Sequence, residues 1–589
     1  MSGIRVSEAA WRRRFRAARV TLPGWARDEP ERLLYGSTAT GKFELYAWDR
    51  KAGRHRQLTD RIEGTTQGAL TPDGADVWWF DDARGSELGR FQAQPFAGGP
   101  YRPAIPDLAP AYAAGLALGR RVTALGRSDD SGSAIHVLHD GGPPTLAYSH
   151  REYAQVAAMS RDESLLAIEH SEHGDSRHPA VRVIDVDGAT VAELWDGPGR
   201  SLEAGAWSPV PGDQRLLVTH ERRGSPSPGI WQQGRPGLTE LAVELPGEVS
   251  ADWYPDGAAL LLHHEHAGRS QLYRFGLASR KLERLATEPG TVEAARVRPD
   301  ADVWYSWSCS SSPPEVRSLR EGSVLSAPGA PAPAGVAYQD RHAGRVHCFL
   351  AEPPGPRPHP TILLVHGGPA AHDRDVFAPR VQAWVDHGYA VMLVNYRGSD
   401  GYGEAWRDGL QGNPGLTELE DVAAARELVV REGIADPSRT ILAGRSWGGY
   451  LTLLGLGIQP ELWALGIADV PVADYFAAFE DEMEPLKAFD RALFGGTPQE
   501  RPEFYRERSP LTYAQRVRVP VYISGGENDP RCPIRQIHNY VAALKELDKP
   551  HELYLFDAGH ASLVVEEQIR QLELQLAFAA RHLGTPQPF

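Results

Sequence analysis

The sequence predicts two domains, an N-terminal β-propeller of seven blades and a C-terminal α/β domain built on a mostly parallel sheet. Three observations carry this. A turn followed by an apolar run recurs every 42 to 48 residues between residues 28 and 299, a spacing typical of propeller blades. The stretch Ser326-Ala327-Pro328-Gly329-Ala330-Pro331-Ala332-Pro333 is small and proline-rich without periodicity, as a linker is. Beyond it, continuous apolar runs alternate with helical patterns, the mark of strands covered on both faces. The expected boundaries are 1–20 for an N-terminal helix packed on the second domain, 21–328 for the propeller and 329–589 for the α/β domain.

A chain of 589 residues exceeds what one hydrophobic core usually organises. Its formal net charge of -15 argues against a nucleic-acid footprint, which needs clustered positive charge to displace counterions from phosphates. The start, MSGIRVSEAAWRRRFRAARV, reads as an amphipathic helix: it has basic residues but no continuous apolar core of signal-peptide type. No apolar run is long enough to span a bilayer. Cys309, Cys348 and Cys532 lie too far apart for a disulfide framework or a CxxC metal site, so a reducing cytoplasm is expected. Only six of the 62 basic residues are lysine, which makes any single arginine near a motif weak evidence of function.

In the first half, Leu70-Thr71-Pro72-Asp73-Gly74 precedes Val77-Trp78-Trp79-Phe80, and Trp207-Ser208-Pro209 precedes Leu216-Leu217-Val218. Trp253-Tyr254-Pro255-Asp256-Gly257 precedes Leu260-Leu261-Leu262, and Val297-Arg298-Pro299-Asp300 precedes Val303-Trp304-Tyr305. Weaker turns stand near residues 28, 119 and 161, completing seven units. A β-sandwich array with the same spacing is the competing reading. The run Glu169-His170-Ser171-Glu172-His173-Gly174 holds ligand-type residues, but propeller loops are polar, and no metal is expected.

In the second half a hairpin pattern over 335–351 is followed by the buried-strand runs Thr361 to Val365 and Ala390 to Asn395. The first opens into His366-Gly367-Gly368-Pro369 and the second into Tyr396-Arg397-Gly398-Ser399. Then Ile441-Leu442-Ala443 leads into Gly444-Arg445-Ser446-Trp447-Gly448-Gly449-Tyr450 and a helical pattern. A serine between glycines at a strand–turn–helix junction fits a nucleophile elbow, whose tight turn leaves no room beside it and pushes the hydroxyl outward. Two later strands open into Gly525-Gly526-Glu527-Asn528-Asp529-Pro530 and Asp557-Ala558-Gly559-His560. Serine, acid and histidine in that order suit hydrolytic chemistry: the imidazole accepts the serine proton and a carboxylate holds the imidazole in the right tautomer.

These motifs together resemble the prolyl oligopeptidase family of serine peptidases, especially its acylaminoacyl-peptidase-like branch. HGGP at 366–369, NYRGSDGYG at 395–403, GRSWGGY at 444–450, GGENDPRCP at 525–533 and DAGHA at 557–561 carry the resemblance, which extends over nearly the whole chain. It implies a propeller capping an α/β-hydrolase domain and cleavage of short peptides rather than folded proteins, without a cofactor. Of the rival carboxylates Glu527, Asp529 and Asp557, the family match places the orienting acid at Asp529, with His560 as base and Ser446 as nucleophile. The elbow's chemistry makes the N–H of Trp447 one oxyanion donor. The resemblance points to the N–H of Gly368 as the other, because His366 stands where other branches have a tyrosine donor. Gly412-Asn413-Pro414-Gly415 departs from the family in lacking the tryptophan usual there.

Specificity is less determined. Tyr475, Phe476 and Phe479 either wall an apolar pocket for the residue before the cleaved bond or pack in the core. Arg374, Arg380, Arg445, Arg531 and Arg535 fall in or near motif loops. An arginine there is able to hold a substrate carboxylate by paired hydrogen bonds, which would make the enzyme a carboxypeptidase. Arg445, one residue before the serine, is the most distinctive, and either reads substrate or packs. Arg397 is expected to brace the site. An esterase on the same fold and a propeller binding protein with a vestigial hydrolase are the alternatives. Expected partners are short peptides, with no nucleic acid or membrane, and a homo-oligomer (dimer or tetramer) is compatible with the sequence.

Overall fold

The computed structural model describes residues 8–585. Of the predicted N-terminal helix, residues 1–7 lie outside them; the helix that forms is Ala10–Arg16. Its Trp11 and Phe15 are buried against Trp384, Leu572 and Leu576 of the second half. Arg12, Arg14 and Arg16 reach Glu573, Asp386 and Glu566. The amphipathic pattern of the start is thus used on the α/β side of the molecule, far along the chain.

Residues 24–325 form only strands and turns. Each predicted turn falls between two antiparallel strands: Pro72-Asp73-Gly74 joins Gly68–Leu70 to Asp76–Asp82, and Pro255-Asp256-Gly257 joins Glu248–Trp253 to Ala259–His266. The expectation of seven separate blades is corrected, because the described strands build five four-stranded sheets and one eight-stranded sheet. The cause is local. Leu88 and Gly89, opening the strand Leu88–Pro95, pair with Tyr112 and Ala111, opening the strand Ala111–Leu118. Two neighbouring units are thereby stitched edge to edge, which also covers backbone groups that an edge would leave exposed. The first and last sheets meet through side chains. Trp304 is fully buried, stacked on Trp48, edge-on to Trp25, and faced by the Arg298 guanidinium. Leu33, Tyr35, Val316 and Leu325 complete that seam.

The second half holds an eight-stranded sheet whose strands we number β1 (Gln339–Ala343), β2 (Val346–Ala351), β3 (His359–Val365), β4 (Ala390–Asn395), β5 (Ala435–Arg445), β6 (Leu465–Asp469), β7 (Val521–Gly526) and β8 (His551–Phe556). Their spatial order is β1-β2-β4-β3-β5-β6-β7-β8, parallel from β4 onward. The apolar runs read from the sequence are these strands, and both faces are covered. Leu363, Val365, Met392 and Leu442 pack on one side with Val422, Tyr450 and Leu453. Ile362, Val391, Leu393 and Ile441 pack on the other with Trp384, Leu572 and Leu576. Every motif loop leaves the C-terminal end of a parallel strand, where open α/β sheets gather their reactive groups.

Candidate active site

The site starts from the turn between β5 and the helix Trp447–Ile458. Ser446 has φ 56° and ψ -119°, a conformation an L-residue adopts only under constraint. Two glycines impose it. A methyl group on Gly444 would lie 2.3 Å from the Gly448 carbonyl oxygen, and one on Gly448 would lie 2.1 Å from that of Val365. Strand and helix therefore meet at a distance no side chain permits, and the Ser446 side chain is the one left pointing away. Its backbone N–H donates to the Asp469 carbonyl at 2.9 Å, fixing the turn to β6.

Asp529 follows β7 and His560 follows β8, and the two loops bring Asp529 Oδ2 to 2.7 Å from His560 Nδ1. The second oxygen, Oδ1, accepts the N–H groups of Arg531 at 2.8 Å and Cys532 at 3.0 Å. Burial opposes the Asp529 charge, yet the His560 hydrogen bond and these two N–H donors hold its carboxyl below the ordinary value. Asp557 bonds Asn528 instead, and Glu527 does not join the pair. Burial pushes the Cys532 thiol well above its ordinary range. Among the described residues the N–H groups of Trp447 and Gly368 donate to no protein acceptor. The Gly367 backbone closes on Ser446, since a methyl on Gly367 would lie 3.3 Å from Ser446 Cβ.

His366 takes no part in this cluster. Its Nε2 lies 2.8 Å from Ser399 Oγ, its Nδ1 2.8 Å from the Gly367 carbonyl, and its ring stacks on Tyr396 at 4.2 Å. Burial pushes it down to about 4, so it is a neutral spacer that shapes the loop. Arg397 is held by Asp421, whose Oδ1 accepts from both its Nε and its Nη2.

The candidate specificity residues divide. Tyr475 is 1% exposed and packs among Tyr450, Phe494 and Tyr505. Phe479 is buried on the same Tyr505, so it and Tyr475 pack in the core, whereas Phe476 reaches that ring while half-buried. Arg531 lines a cavity of about 280 Å³ with His560, but both its Nε and Nη2 are held by Glu87 at 2.6 and 2.9 Å. Arg380 pairs with Asp469 and Arg535 with Glu480 and Asp481, while Arg374 stands 3.8 Å from Glu265. Arg445 differs from all of these. Its Nη2 donates to the His560 carbonyl, and among the described residues no carboxylate lies within ion-pair distance of it.

Two contributors escaped the sequence reading. One is the propeller turn Ala83–Glu87, whose Gly85 touches Gly559, the neighbour of His560. The other is Glu418, fully buried beneath the elbow, where it accepts the Trp447 indole N–H at 3.2 Å and the Gly415 N–H at 2.7 Å. The available signal was an acid at the third position of the helix Leu416–Arg431, where a carboxylate reaches back to the N–H of the residue that precedes the helix.

Burial pushes the Glu418 carboxyl up to about 8, so the folded state keeps a proton that the unfolded chain loses from about pH 4.5 upward. Its contribution to stability therefore falls as pH rises between those values, by about 1.4 kcal/mol per pH unit for one proton. Glu418→Gln, which imitates the neutral acid, is expected to remove that part of the slope. Urea midpoints of the two proteins across this range check it; parallel curves contradict the assignment.

Residues 375–586 match the model of the prolyl oligopeptidase family. Among curated proteins, the chain is 33% identical over 245 residues to dipeptidyl peptidase family member 6 of Caenorhabditis elegans, covering 39% of this chain and 32% of that one. It is 32% identical over 238 residues to dipeptidyl aminopeptidase BIII of Pseudoxanthomonas mexicana, covering 38% and 34%. With the acylamino-acid-releasing enzyme of Rattus norvegicus it shares 30% over 263 residues, covering 42% and 35%. The chain thus spans about a third of the length of the curated relatives it matches. Among solved structures, puromycin hydrolase superposes with a TM-score of 0.83 at 22% identity, over 98% of this chain and 96% of that one. The acylaminoacyl peptidase of Pyrococcus horikoshii does so with 0.72 at 16% identity, over 99% and 98%. At these identities the likeness is one of fold.

Proposed function

We propose that the protein is a serine peptidase that hydrolyses short peptides through an acyl-enzyme. The observation that carries the reading is the 2.7 Å link between Asp529 and His560 beside a serine held at φ 56°. In the first step Ser446 Oγ attacks the scissile carbonyl carbon while His560 Nε2 takes its proton, and Asp529 holds the imidazole by its Nδ1–H. The oxygen charge that develops is received by the unengaged N–H groups of Trp447 and Gly368, a donor of this kind contributing about 2.7 to 4 kcal/mol to the transition state. His560 then gives the proton to the leaving amine. A water molecule, activated by the same imidazole, releases the acyl group and restores Ser446.

The division into 1–20, 21–328 and 329–589 belongs to this proposal, with the first segment serving the hydrolase domain. We infer that the propeller screens substrates by size. Its loops pair with the segment after His560, Phe43 N–H donating to the Leu563 carbonyl and Val565 N–H to that of Gly41. A cytoplasmic location is supported by three unpaired cysteines; no helix among the described residues is long and apolar enough to cross a membrane. The test is a digest of mixed short peptides beside a folded protein carrying the same sequences. Cleavage of the peptides alone fits the proposal, and equal cleavage of both rejects the screening role.

Arg445 favours a second, narrower reading, a carboxypeptidase. Its guanidinium is in no ion pair among the described residues and donates to the carbonyl of His560, the residue that gives its proton to the leaving amine in the steps above. On that reading, amidating a peptide's C-terminus is expected to lower kcat/KM by about tenfold to a hundredfold, the worth of hydrogen bonds to a charged group. Arg445→Met is expected to erase the difference. Mass spectrometry of products decides, since cleavage indifferent to both changes leaves Arg445 as a brace for the His560 loop.

A further inference from the structure

Cys532 is the cysteine that stands among reacting groups. Cys309 belongs to a propeller strand and Cys348 to β2, whereas Cys532 lies three residues after Asp529. One donor atom from each of Asp529, Cys532 and His560 lies within 4.8 Å of the other two. No other trio of histidine, cysteine and acidic side chains among the described residues is gathered so closely. The peptidase steps use the carboxylate and the imidazole but have none for a sulfur. Carboxylate oxygen, thiolate sulfur and imidazole nitrogen together are the ligand set of zinc-type cations.

Access suits a cation as well. The cavity that reaches His560 is lined by Glu63, Asp82 and Glu87 against the single Arg531, which Glu87 already holds. Glu63 and Asp82 have no ion-pair partner among the described residues, so the cavity draws positive charge toward the imidazole.

We propose that Cys532, His560 and Asp529 form an inhibitory site for a thiophilic divalent cation such as Zn²⁺. As the sulfur–metal bond forms, the Cys532 S–H proton passes to solvent, and the carboxylate and one imidazole nitrogen each supply an electron pair to the cation. A metal-bound imidazole carries hydrogen on its other nitrogen and has no lone pair left for the Ser446 proton. Acylation stops until a chelator removes the ion. The inhibitory half of this proposal rests on the triad reading above; the binding half does not.

The test separates them. The metal-free full chain is titrated with Co²⁺, and thiolate-to-cobalt charge-transfer absorption is expected to saturate at one equivalent. Zn²⁺ should displace the cobalt signal and block fluorophosphonate labelling of Ser446, with labelling restored by EDTA. Cys532→Ala is expected to lose the absorption and to need at least about tenfold more Zn²⁺ for half-blocking, as removal of even a supporting group commonly costs that much. Cys532→Ser, closer in size, should lose the absorption equally and guards against a folding failure; Cys309→Ala should keep it. Absorption that survives in both Cys532 variants overturns the proposal, as does Zn²⁺ blocking wild type and variants at equal concentrations. A Cys532-dependent band with no effect on labelling overturns the inhibitory role. Absence of labelling in the metal-free protein counts against the triad instead and leaves the absorption to judge the site.

Discussion

Ser446→Ala is expected to lower kcat on a short peptide by about 10⁶, the scale on which removing a nucleophile or its base acts in a serine peptidase. The argument is one of interdependence. The hydroxyl is a weak nucleophile until His560 takes its proton, and the imidazole has nothing to activate once the hydroxyl is gone. His560→Ala and the double variant should therefore fall to the same residual rate rather than to the product of the two losses. Asp529→Asn should cost less, about 10⁴, because it spares both reacting groups and only releases the tautomer that Oδ2 fixes from 2.7 Å. Fluorophosphonate labelling gives an independent reading. It should vanish with Ser446, and labelling at any other residue would remove the triad assignment. The KM should change little, since Ser446 contributes its energy in the transition state.

How far the sequence discloses such a site depends on what each residue answers to. Gly444 and Gly448 are legible because their need is steric and local: adjacent strand and helix leave no room for a methyl. The order of Ser446, Asp529 and His560 is legible because each follows an apolar strand, and the sheet brings the ends of such strands together. Tyr475 and Phe479 were not decidable. An aromatic side chain beside a site and one beneath it look alike in sequence, and only the ring of Tyr450, Phe494 and Tyr505 shows which side they face. The propeller period was legible from its turns, whereas the joining of two units rests on Leu88 and Gly89 meeting a strand that no local pattern nominates. Glu418 reads as an ordinary helix-start residue; its burial under Trp447 follows from the packing of two helices on one face of the sheet. Arg445 was conspicuous as a type, but its partner is a backbone carbonyl, and backbone carbonyls leave no trace in composition.

Gly559→Ala is expected to lower kcat about a hundredfold while leaving the unfolding midpoint of the hydrolase domain nearly unchanged, the cost that a misplacement of about 1 Å carries in catalysis. Gly559 is not among the glycines with positive φ, so alanine fits its backbone. Contact forbids it. A methyl there would lie 1.7 Å from the Gly85 carbonyl oxygen, and one on Gly85 would lie 2.4 Å from the Gly559 N–H nitrogen. The backbones of the propeller turn and of the β8 loop thus touch one residue before His560. Gly85 cannot yield easily, for it sits at φ 79° between Arg84 and Glu87, which also have positive φ, and Glu87 is tied to Arg531. The added methyl must therefore push the His560 loop away from the propeller, carrying the imbalance to the 2.7 Å contact with Asp529. The pattern to be measured is a fall in kcat and in the rate of fluorophosphonate labelling with little change in KM. Shortening the turn Ala83–Glu87 in the same variant should restore part of the labelling rate by removing the opposing carbonyl. If Gly559→Ala labels as fast as wild type, the propeller contact positions nothing, and the loop holding His560 is set by the hydrolase domain alone.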